Sequence, residues 1–302
     1  MGTPEFAVAS LDALVQAGCN IVGVVTAADK PAGRGMKLTQ SAVKTYAEQK
    51  GLKVLQPEKL KNPDFIGELR SLHADLQVVV AFRMLPEMVW NMPPMGTINL
   101  HGSLLPQYRG AAPINWAIIN GENHTGVTTF KLQHQIDTGD ILLNETIPIG
   151  PDTTAGELHD TMKVIGANLL VLTVQELAAG TLTEKPQEMV DADTLQHAPK
   201  LFTETCTIDW QQPALSIHNL IRGLSPFPGA LTQLNDKLLK VFKSRYQLAA
   251  HNLQCGAVES DQKGFIRFAA TDGFVYLLEL QPEGKKRMQV EDYLRGNRVV
   301  SQ

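Results

Sequence analysis

Residues Leu76–Ala81 read LQVVVA, a run of apolar and β-branched side chains with the length of one strand buried on both faces. Asn20–Thr26 (NIVGVVT) has the same character, and Gly96–Leu100 (GTINL) is a shorter example. Ser41–Lys50, between the first two strands in the chain, has helical spacing. Alternation of buried strands and helices predicts an α/β domain with a doubly wound, mostly parallel, Rossmann-like sheet.

The following segments continue this alternation up to residue 180. Gly126–Leu132 and Ile141–Ile147 have the pattern of two paired strands. Thr153–Gly180 predicts one long helix that ends at its glycine, with an apolar face formed by Leu158, Met162, Ile165, Leu169, Leu172 and Leu177.

The second half of the chain has a different pattern. Residues 181–204 are polar and weakly patterned, as is typical of a linker. Beyond them, a helical pattern at Ala214–Ile221 precedes short strands separated by glycine-containing turns, LLKVFKSRY, GAVES, GFIRFAA and GFVYLLEL. This pattern predicts a smaller C-terminal β-barrel, OB-like, or a sandwich. We therefore divide the chain into an α/β domain at 1–188, a linker at 189–204 and a β-barrel domain at 205–302.

Composition indicates the cellular setting. The chain has 302 residues, 43% of them hydrophobic and 19% charged, which is typical of a soluble enzyme. Its three cysteines lie far apart without a disulfide or metal-ligand pattern, which favours a reducing compartment. The first residues lack a secretory pattern, and no uninterrupted apolar stretch approaches the roughly 20 residues that cross a bilayer. We expect a cytoplasmic protein with no membrane partner.

Charge is distributed unevenly along the chain. The formal net charge of −4 argues against a general nucleic-acid binder, and we expect no DNA partner. However, residues 205–302 carry a balance of +3, whereas residues 1–204 carry −7. Within the acidic part, residues 30–53 hold one acidic side chain and six basic ones, Lys30, Arg34, Lys37, Lys44, Lys50 and Lys53. Such a cluster can contact a polyanion, or it can be a solvated helix face beside a loop.

Asn99 and His101 are the first candidates for chemistry. They share one face of the predicted strand, because side chains two residues apart point the same way. At the carboxyl end of a strand, an amide and an imidazole can stabilise an oxyanion and transfer a proton, and Asp137 in QIDTGDIL can polarise the imidazole. The alternative is structural: Asn99 caps a turn, His101 is a half-buried histidine with its hydrogen bonds satisfied, and Asp137 and Asp140 form Asx-turns.

A family resemblance bears on this choice. HGSLLPQYRGAAPINWAI followed by IDTGDI resembles the signature of the formyltransferases that use 10-formyltetrahydrofolate. MGTPEFAVASLDAL, DKPAGRGMKL, IRGLSPFPGA and GKKRM resemble those members that formylate methionyl initiator tRNA. The likeness covers nearly the whole chain. It implies a catalytic N-terminal domain and a tRNA-binding C-terminal domain.

The resemblance also implies a mechanism and a partner. Asn99, His101 and Asp137 match the catalytic positions of the family. They imply formyl transfer from the cosubstrate 10-formyltetrahydrofolate to the amino group of methionyl initiator tRNA, giving N-formylmethionyl-tRNA for translation initiation. A tetrahedral oxyanion would be stabilised by Asn99 and His101, without a metal or a covalent enzyme intermediate. We expect a monomer.

Further positions are implied to bind the two substrates. Folate contacts in the family match Ser103, Leu104, Leu105 and Pro106 on one wall. The opposite wall would be formed by Phe82, Arg83, Met84 and Leu85, although AFRMLP differs more from the usual family wording and core packing is the alternative. The glycine-containing loop KPAGRGMKLTQ matches one that enters the acceptor arm of the tRNA, which assigns Arg34 and Lys37 to tRNA binding.

Four other functions are compatible with part of this pattern. A glycinamide-ribonucleotide formyltransferase would be shorter and lack the C-terminal barrel. The hydrolase part of a formyltetrahydrofolate dehydrogenase would normally precede a carrier and a dehydrogenase domain. A formyltransferase for nucleotide-linked amino sugars would differ around RGAAP and IDTGD. The last alternative is a catalytically silent folate- or RNA-binding module, against which intact Asn99, His101 and Asp137 argue.

The N-terminal segment raises one further expectation. A doubly wound fold normally opens with an apolar strand before its first glycine-containing turn, and family members have one before the residues that match Met1–Pro4. Without it, NIVGVVT and LQVVVA would expose unpaired backbone groups and apolar surface. We therefore expect that Met1 is an internal methionine and that the natural chain starts several residues upstream.

Overall fold

The structure is a computed structural model, and it describes residues 1–32, 37–187 and 194–300. Its helices are Glu5–Gln16 (α1), Ala42–Gln49 (α2), Pro63–Ser71 (α3), Glu87–Trp90 (α4), Pro113–Ile119 (α5), Ala155–Ala179 (α6), Thr203–Cys206 (α7), Ala214–Gly223 (α8) and Val290–Leu294 (α9). Its strands up to residue 150 are Val24–Val25 (β1), Lys30–Ala32 (β2), Lys37–Thr39 (β3), Val54–Leu55 (β4), Gln77–Val79 (β5), Thr97–His101 (β6), Arg109–Gly110 (β7), His124–Lys131 (β8) and Ile141–Pro148 (β9). The later strands are His197–Ala198 (β10), Ala230–Leu234 (β11), Lys237–Leu248 (β12), Val258–Ser260 (β13), Ile266–Ala269 (β14), Gly273–Pro282 (β15) and Met288–Gln289 (β16).

The chain forms two compact units. The first contains residues 1–110, 126–147 and 159–196, and the second contains residues 111–125, 148–158 and 197–302. In the first unit, β5, β6, β8 and β9 form a sheet in that order, while β1 pairs with β4 in parallel. β5 and β6 are parallel, and β6 and β8 are antiparallel. The sheet therefore contains both parallel and antiparallel pairs, whereas the strand pattern predicts a mostly parallel sheet.

The first two residues lie between the two parallel pairs. The amide of Gly2 donates to the carbonyl of Val25 at the end of β1 (3.1 Å), and the amide of Val80 donates to the carbonyl of Met1 (2.9 Å). Beside them is a cavity of about 140 Å³, lined mainly by apolar residues of α1, residues 20–25 and residues 74–80. Burial in this region lowers the pKa of the Met1 amino group to about 5.

α6 is the longest helix and packs against this sheet. Gly166 lies against Leu100 and Val127, and the hydroxyls of Thr129 and Thr173 are 2.8 Å apart. By length and composition alone α6 could cross a membrane, with a mean hydropathy of 1.3 over its most apolar window. These contacts with the sheet are those of a core helix.

The second unit is built around an antiparallel sheet. β11, β12, β15, β14 and β13 are neighbours in that order, and β16 pairs with β15, so the sheet curls into a half-barrel. The register shifts on both sides of Lys243, where β12 bends. Ile217, Ile221 and Leu224 of the α8 region pack with Val241 and Leu277 in the apolar core of this unit.

Candidate active site

The candidate site lies where β5 and β6 end. Val79 of β5 is opposite Asn99 of β6, so the carboxyl ends of the two parallel strands meet at one edge. Asn99 and His101 are the third and last residues of β6, and their cross-strand partners on β8 are Phe130 and Thr128. The strand therefore presents both side chains on one face of the sheet, as the sequence predicts.

The imidazole of His101 is buried and held in one orientation. Its Nε2 donates a hydrogen bond to the carbonyl of Tyr108 (2.9 Å), and its ring packs edge-on against Phe130 with the centroids 6.4 Å apart. A carbonyl oxygen can only accept, so the proton of the neutral ring is on Nε2. Nδ1 consequently carries the lone pair that can take up a proton.

Asp137 faces that lone pair. Its Oδ2 lies 3.9 Å from His101 Nδ1, too far for a hydrogen bond but close enough for an ion pair once the ring is protonated. The same oxygen accepts a hydrogen bond from the amide of Gly110 (2.9 Å). Asp137 has a φ of 55°, in the left-handed region. The structure thus brings together the two residues that the sequence pairs, with the carboxylate oriented by a backbone amide.

Asn99 supplies the third polar group at this edge. It is half-buried, and its carboxamide has no hydrogen-bond partner among residues 1–32, 37–187 and 194–300. An amide nitrogen with unused donors beside an imidazole can donate to a developing oxyanion. Together the three side chains can stabilise negative charge and accept one proton.

The segment Ser103–Pro106 forms a tight turn directly after β6. The buried Ser103 hydroxyl donates to the Gln107 carbonyl (2.6 Å), and the Ser103 carbonyl accepts from Thr128 Oγ1 (2.6 Å). The amide of Leu105 donates to the same Thr128 oxygen (3.2 Å), and the Leu105 side chain is buried. Among these four predicted folate contacts, the side chains of Leu104 and Pro106 are the more accessible ones.

The segment Phe82–Leu85 follows β5 at the same edge but is divided between core and surface. Leu85 is buried in the apolar core beside Val79 and Val89. Met84 is 73% exposed. Arg83 donates to the carbonyls of Glu58 (2.9 Å) and Pro57, and its guanidinium lies 5.6 Å from the centre of the Phe82 ring. Phe82, Arg83 and Met84 are accessible to a ligand, whereas Leu85 serves packing.

The candidate tRNA loop is described only at its base. β2 and β3 pair antiparallel, with Ala32 opposite Lys37. The predicted tRNA contact Arg34 is one of residues 33–36, which lie outside the described residues. The backbone of Lys37 belongs to β3. Preceding the hairpin, Asp29 accepts hydrogen bonds from Lys44 Nζ (2.6 Å) and Gln56 Nε2 (2.7 Å), and the Lys44 bond keeps the pKa of Asp29 below its usual value.

Part of the predicted basic cluster is neutralised by carboxylates. Lys44 pairs with Asp29, and Lys53 pairs with Glu68 (3.0 Å). The positive charge available to a polyanion in residues 30–53 is therefore smaller than the sequence count indicates.

The sequence pattern does not indicate Gln187 and Arg109 as residues of this site. Gln187 Nε2 donates to the carbonyls of Asp137 (2.9 Å) and Gly139 (2.8 Å), and Gln187 Oε1 accepts from Arg109. Gln187 lies in the weakly patterned polar segment, 50 residues from Asp137, and no periodicity connects the two.

Over the described parts of the chain, no three His, Cys, Asp or Glu side chains are grouped so that they could hold a metal ion.

Comparison with protein families decides the classification. The family model described as formyl transferase matches residues 1–174, and the model described as formyl transferase, C-terminal domain, matches residues 200–298. The chain belongs to the formyl transferase family. The predicted resemblance is therefore confirmed, and the Asn99–His101 edge lies within the N-terminal match.

Two curated relatives similar to this formyltransferase over nearly their whole length carry the same name. The methionyl-tRNA formyltransferase of Parabacteroides distasonis is 52% identical over 100% of this chain and 96% of its own length. That of Flavobacterium johnsoniae is 50% identical over 98% of this chain and 94% of its own. The similarity spans both matched family domains.

Solved structures show the same fold at lower identity. An N-formyltransferase from Helicobacter canadensis, in complex with folinic acid and dTDP-3-aminofucose, matches with a TM-score of 0.68 at 19% identity, over 95% of this chain and 97% of its own. The sugar 3N-formyl transferase WlaRD, with dTDP and 5-N-formyl-THF, matches with a TM-score of 0.67 at 20% identity, over 94% of this chain and 97% of its own. These similarities show the fold of the formyltransferase.

Proposed function

We propose that this enzyme transfers the formyl group of 10-formyltetrahydrofolate to the α-amino group of methionyl initiator tRNA. The observation that carries the proposal is the presence of Asn99, His101 and Asp137 at one sheet edge of a chain about half identical, over its full length, to methionyl-tRNA formyltransferases. The product is N-formylmethionyl-tRNA, which is used in translation initiation. The enzyme is thus a one-carbon transferase acting on a translation substrate.

The proposed catalytic roles follow from the donor and acceptor inventory of the site. Bound folate supplies the formyl group on N10, and attack by a neutral amine on its carbonyl gives a tetrahedral oxyanion. The Asn99 carboxamide donates to this oxyanion. His101 Nδ1 takes the proton of the attacking amine, because Nε2 is occupied by the Tyr108 carbonyl. When the tetrahedral intermediate collapses, its bond to N10 breaks, the same proton passes from His101 to N10, and tetrahydrofolate leaves. Asp137 stabilises the resulting imidazolium across 3.9 Å.

The folate is proposed to lie between the two segments that leave the sheet edge. Leu104 and Pro106 on one side, and Phe82 and Met84 on the other, offer accessible apolar surface suited to a flat heterocycle. Ser103 and Leu105 shape the first wall through their bonds to the Thr128 region. Leu85 supports the second wall from the core. Arg83 can bind the carboxylates of the folate only when its hydrogen bonds to the carbonyls of Glu58 and Pro57 break.

The tRNA is proposed to contact two surfaces. The first is loop 30–40, with Arg34 and Lys37 directed to the acceptor arm by analogy with the family. The second is a face of the half-barrel sheet where Arg245 of β12 and Arg267 of β14 lie on either side of Tyr276 of β15, each as its direct cross-strand partner. Arg245 lies 3.7 Å from the centre of the Tyr276 ring, which leaves the edge of its guanidinium available to a phosphate. The net charge of +3 over residues 205–302 supports this assignment.

The domain division and the cellular setting complete the proposal. Residues 1–188 carry catalysis, residues 189–204 link the domains, and residues 205–302 form an OB-like barrel for the tRNA. The enzyme acts as a cytoplasmic monomer with no membrane or DNA partner.

An acceptor comparison tests this function. Purified enzyme is incubated with 10-formyltetrahydrofolate and either methionyl-tRNA or a dTDP-linked amino sugar, and formylated product is measured by mass spectrometry. We expect formyl-methionyl-tRNA and no formylated sugar. Formylation of the sugar alone would assign the enzyme to the sugar N-formyltransferases.

A further inference from the structure

The loop that carries Asp137 has an unusual backbone. Asp137 itself is in the left-handed region, at φ 55°. Two residues later, a Cβ atom on Gly139 would lie 1.6 Å from the carbonyl oxygen of Lys131, so the loop passes directly against β8. A non-glycine residue with positive φ costs free energy and is maintained only where the surroundings determine it.

Gln187 supplies the contacts that determine this conformation. Both hydrogens of its amide nitrogen are used, one by the carbonyl of Asp137 and one by the carbonyl of Gly139. Its amide oxygen accepts from Arg109 Nε (3.2 Å) and Nη2 (2.5 Å). The opposite amide orientation would set an oxygen against two carbonyl oxygens and an NH₂ group against a guanidinium, so the hydrogen-bond network allows one orientation only.

Gln187 therefore reaches both sides of the catalytic carboxylate. On one side it holds the backbone of Asp137. On the other it holds Arg109, whose neighbour Gly110 donates its amide to Asp137 Oδ2. One side chain thus links the residue that bears the carboxylate to the strand segment that orients it.

We propose that Gln187 is a positioning residue for formyl transfer, which sets the distance between Asp137 and His101 and has no contact with either substrate. The inference rests on the proposed roles of those two residues. A displacement of about 1 Å in a catalytic group can lower the rate by about a hundredfold, so loss of this contact is expected to reduce turnover.

A purely structural role for Gln187 predicts a different behaviour. The segment that carries it is attached independently, because the backbone of Lys185 exchanges two hydrogen bonds with that of Ile141 (2.8 and 2.9 Å). Removal of the Gln187 side chain should leave this pairing intact. The exposed Lys185 side chain provides a matched control in the same segment.

A double-mutant cycle tests the inference. We expect Gln187→Ala to lower kcat about tenfold or more with little change in KM for the folate or the tRNA, whereas Lys185→Ala leaves both unchanged. In an Asp137→Ala background, Gln187→Ala should reduce kcat less than about twofold further, because the positioned group is already absent. Gln187→Glu keeps the acceptors for Arg109 but lacks the two donors, so it should lower kcat about as far as Gln187→Ala.

Each outcome separates this inference from the proposed function. If Asp137→Ala abolishes turnover while Gln187→Ala has wild-type kcat, or if the two losses multiply independently, Gln187 is not a positioning residue. A lower melting temperature with unchanged kcat would assign it a structural role. If the unmodified enzyme does not formylate methionyl-tRNA, the proposed function itself fails.

Discussion

The carboxylate of Asp137 and the imidazole of His101 face each other with 3.9 Å between Oδ2 and Nδ1. Nε2 of the same ring is bonded to the Tyr108 carbonyl, so the side that faces Asp137 is the one that can be protonated. The pair is therefore arranged to stabilise an imidazolium that forms during the reaction, and it need not exist as an ion pair at rest.

This geometry predicts the effect of removing either group. His101→Ala and Asp137→Ala should each lower kcat by about a hundredfold or more, because proton transfer and stabilisation of the resulting cation are lost. Turnover is measured with saturating substrates, and circular dichroism is the control for folding. Near-normal turnover in either variant would remove that residue from the catalytic set.

The strong local patterns of the chain are recovered in the structure. The predicted helix Thr153–Gly180 is observed at Ala155–Ala179, and the pattern at Ser41–Lys50 corresponds to Ala42–Gln49. A long amphipathic period determines such elements because it reflects burial of one continuous face. NIVGVVT, by contrast, has only Val24–Val25 in a ladder, since the pairing of a strand depends on neighbours that its own letters do not specify.

The residues of the site also divide into those that local periodicity predicts and those whose position depends on tertiary contacts. Asn99 and His101 share a face because strand periodicity is local. The sequence predicts Leu85 on the same folate wall as Phe82 and Met84. It packs in the core instead, because a chain that leaves a strand changes direction within a few residues. The Gln187 contact with Asp137 depends on tertiary folding across 50 residues, and no local pattern encodes it.

A second prediction concerns tRNA recognition. Arg245→Ala removes a guanidinium stacked on Tyr276, and Arg34→Ala removes one of the three cationic side chains of loop 30–40. Each should raise KM for methionyl-tRNA several-fold and leave KM for the folate unchanged, and kcat/KM for the tRNA should fall steeply with salt as phosphate contacts are lost. Lys263→Ala, at an exposed site in the turn before β14, is the charge-matched control. A value of kcat/KM for the tRNA that does not change with salt would contradict the proposed phosphate contacts.

A third prediction concerns pH and His218. Its ring is buried, with Nδ1 3.0 Å from Ser244 Oγ, and it faces Pro151, Asp152, Arg222 and Tyr246. Burial lowers the pKa of His218 below its usual value of 6.5 despite the nearby Asp152 carboxylate.

The sign of the effect follows from proton linkage. As pH falls below 6.5, the unfolded chain binds a proton that the folded chain does not, so the free energy of unfolding should decrease until the folded pKa is passed. Urea unfolding between pH 7.5 and 5.5 measures this decrease, and His218→Gln should show a shallower one. Equal pH dependence in both proteins would show that His218 does not contribute.

A fourth prediction concerns the cavity beside Met1. A variant with five alternating valine and isoleucine residues before Met1 can extend between β1 and β5, fill apolar space of about 140 Å³ and convert the buried amino group to an amide. At about 24 cal/mol per Å³ a completely filled cavity corresponds to about 3.4 kcal/mol, which is the largest stabilisation we expect. A glycine–serine extension of the same length also removes the amino group, so it isolates the contribution of the cavity. Equal unfolding free energies for the two extensions would show that the apolar segment does not enter it.

The most direct measurement follows labelled formyl from 10-formyltetrahydrofolate to methionyl-tRNA in single-turnover reactions, with initiator and elongator methionyl-tRNA compared at equal concentration. We predict rapid formylation of the initiator and at least about tenfold slower formylation of the elongator, and both rates should fall by about a hundredfold or more in His101→Ala. Absence of label on the initiator tRNA, or equal rates for the two tRNAs, would contradict an enzyme that formylates methionyl initiator tRNA.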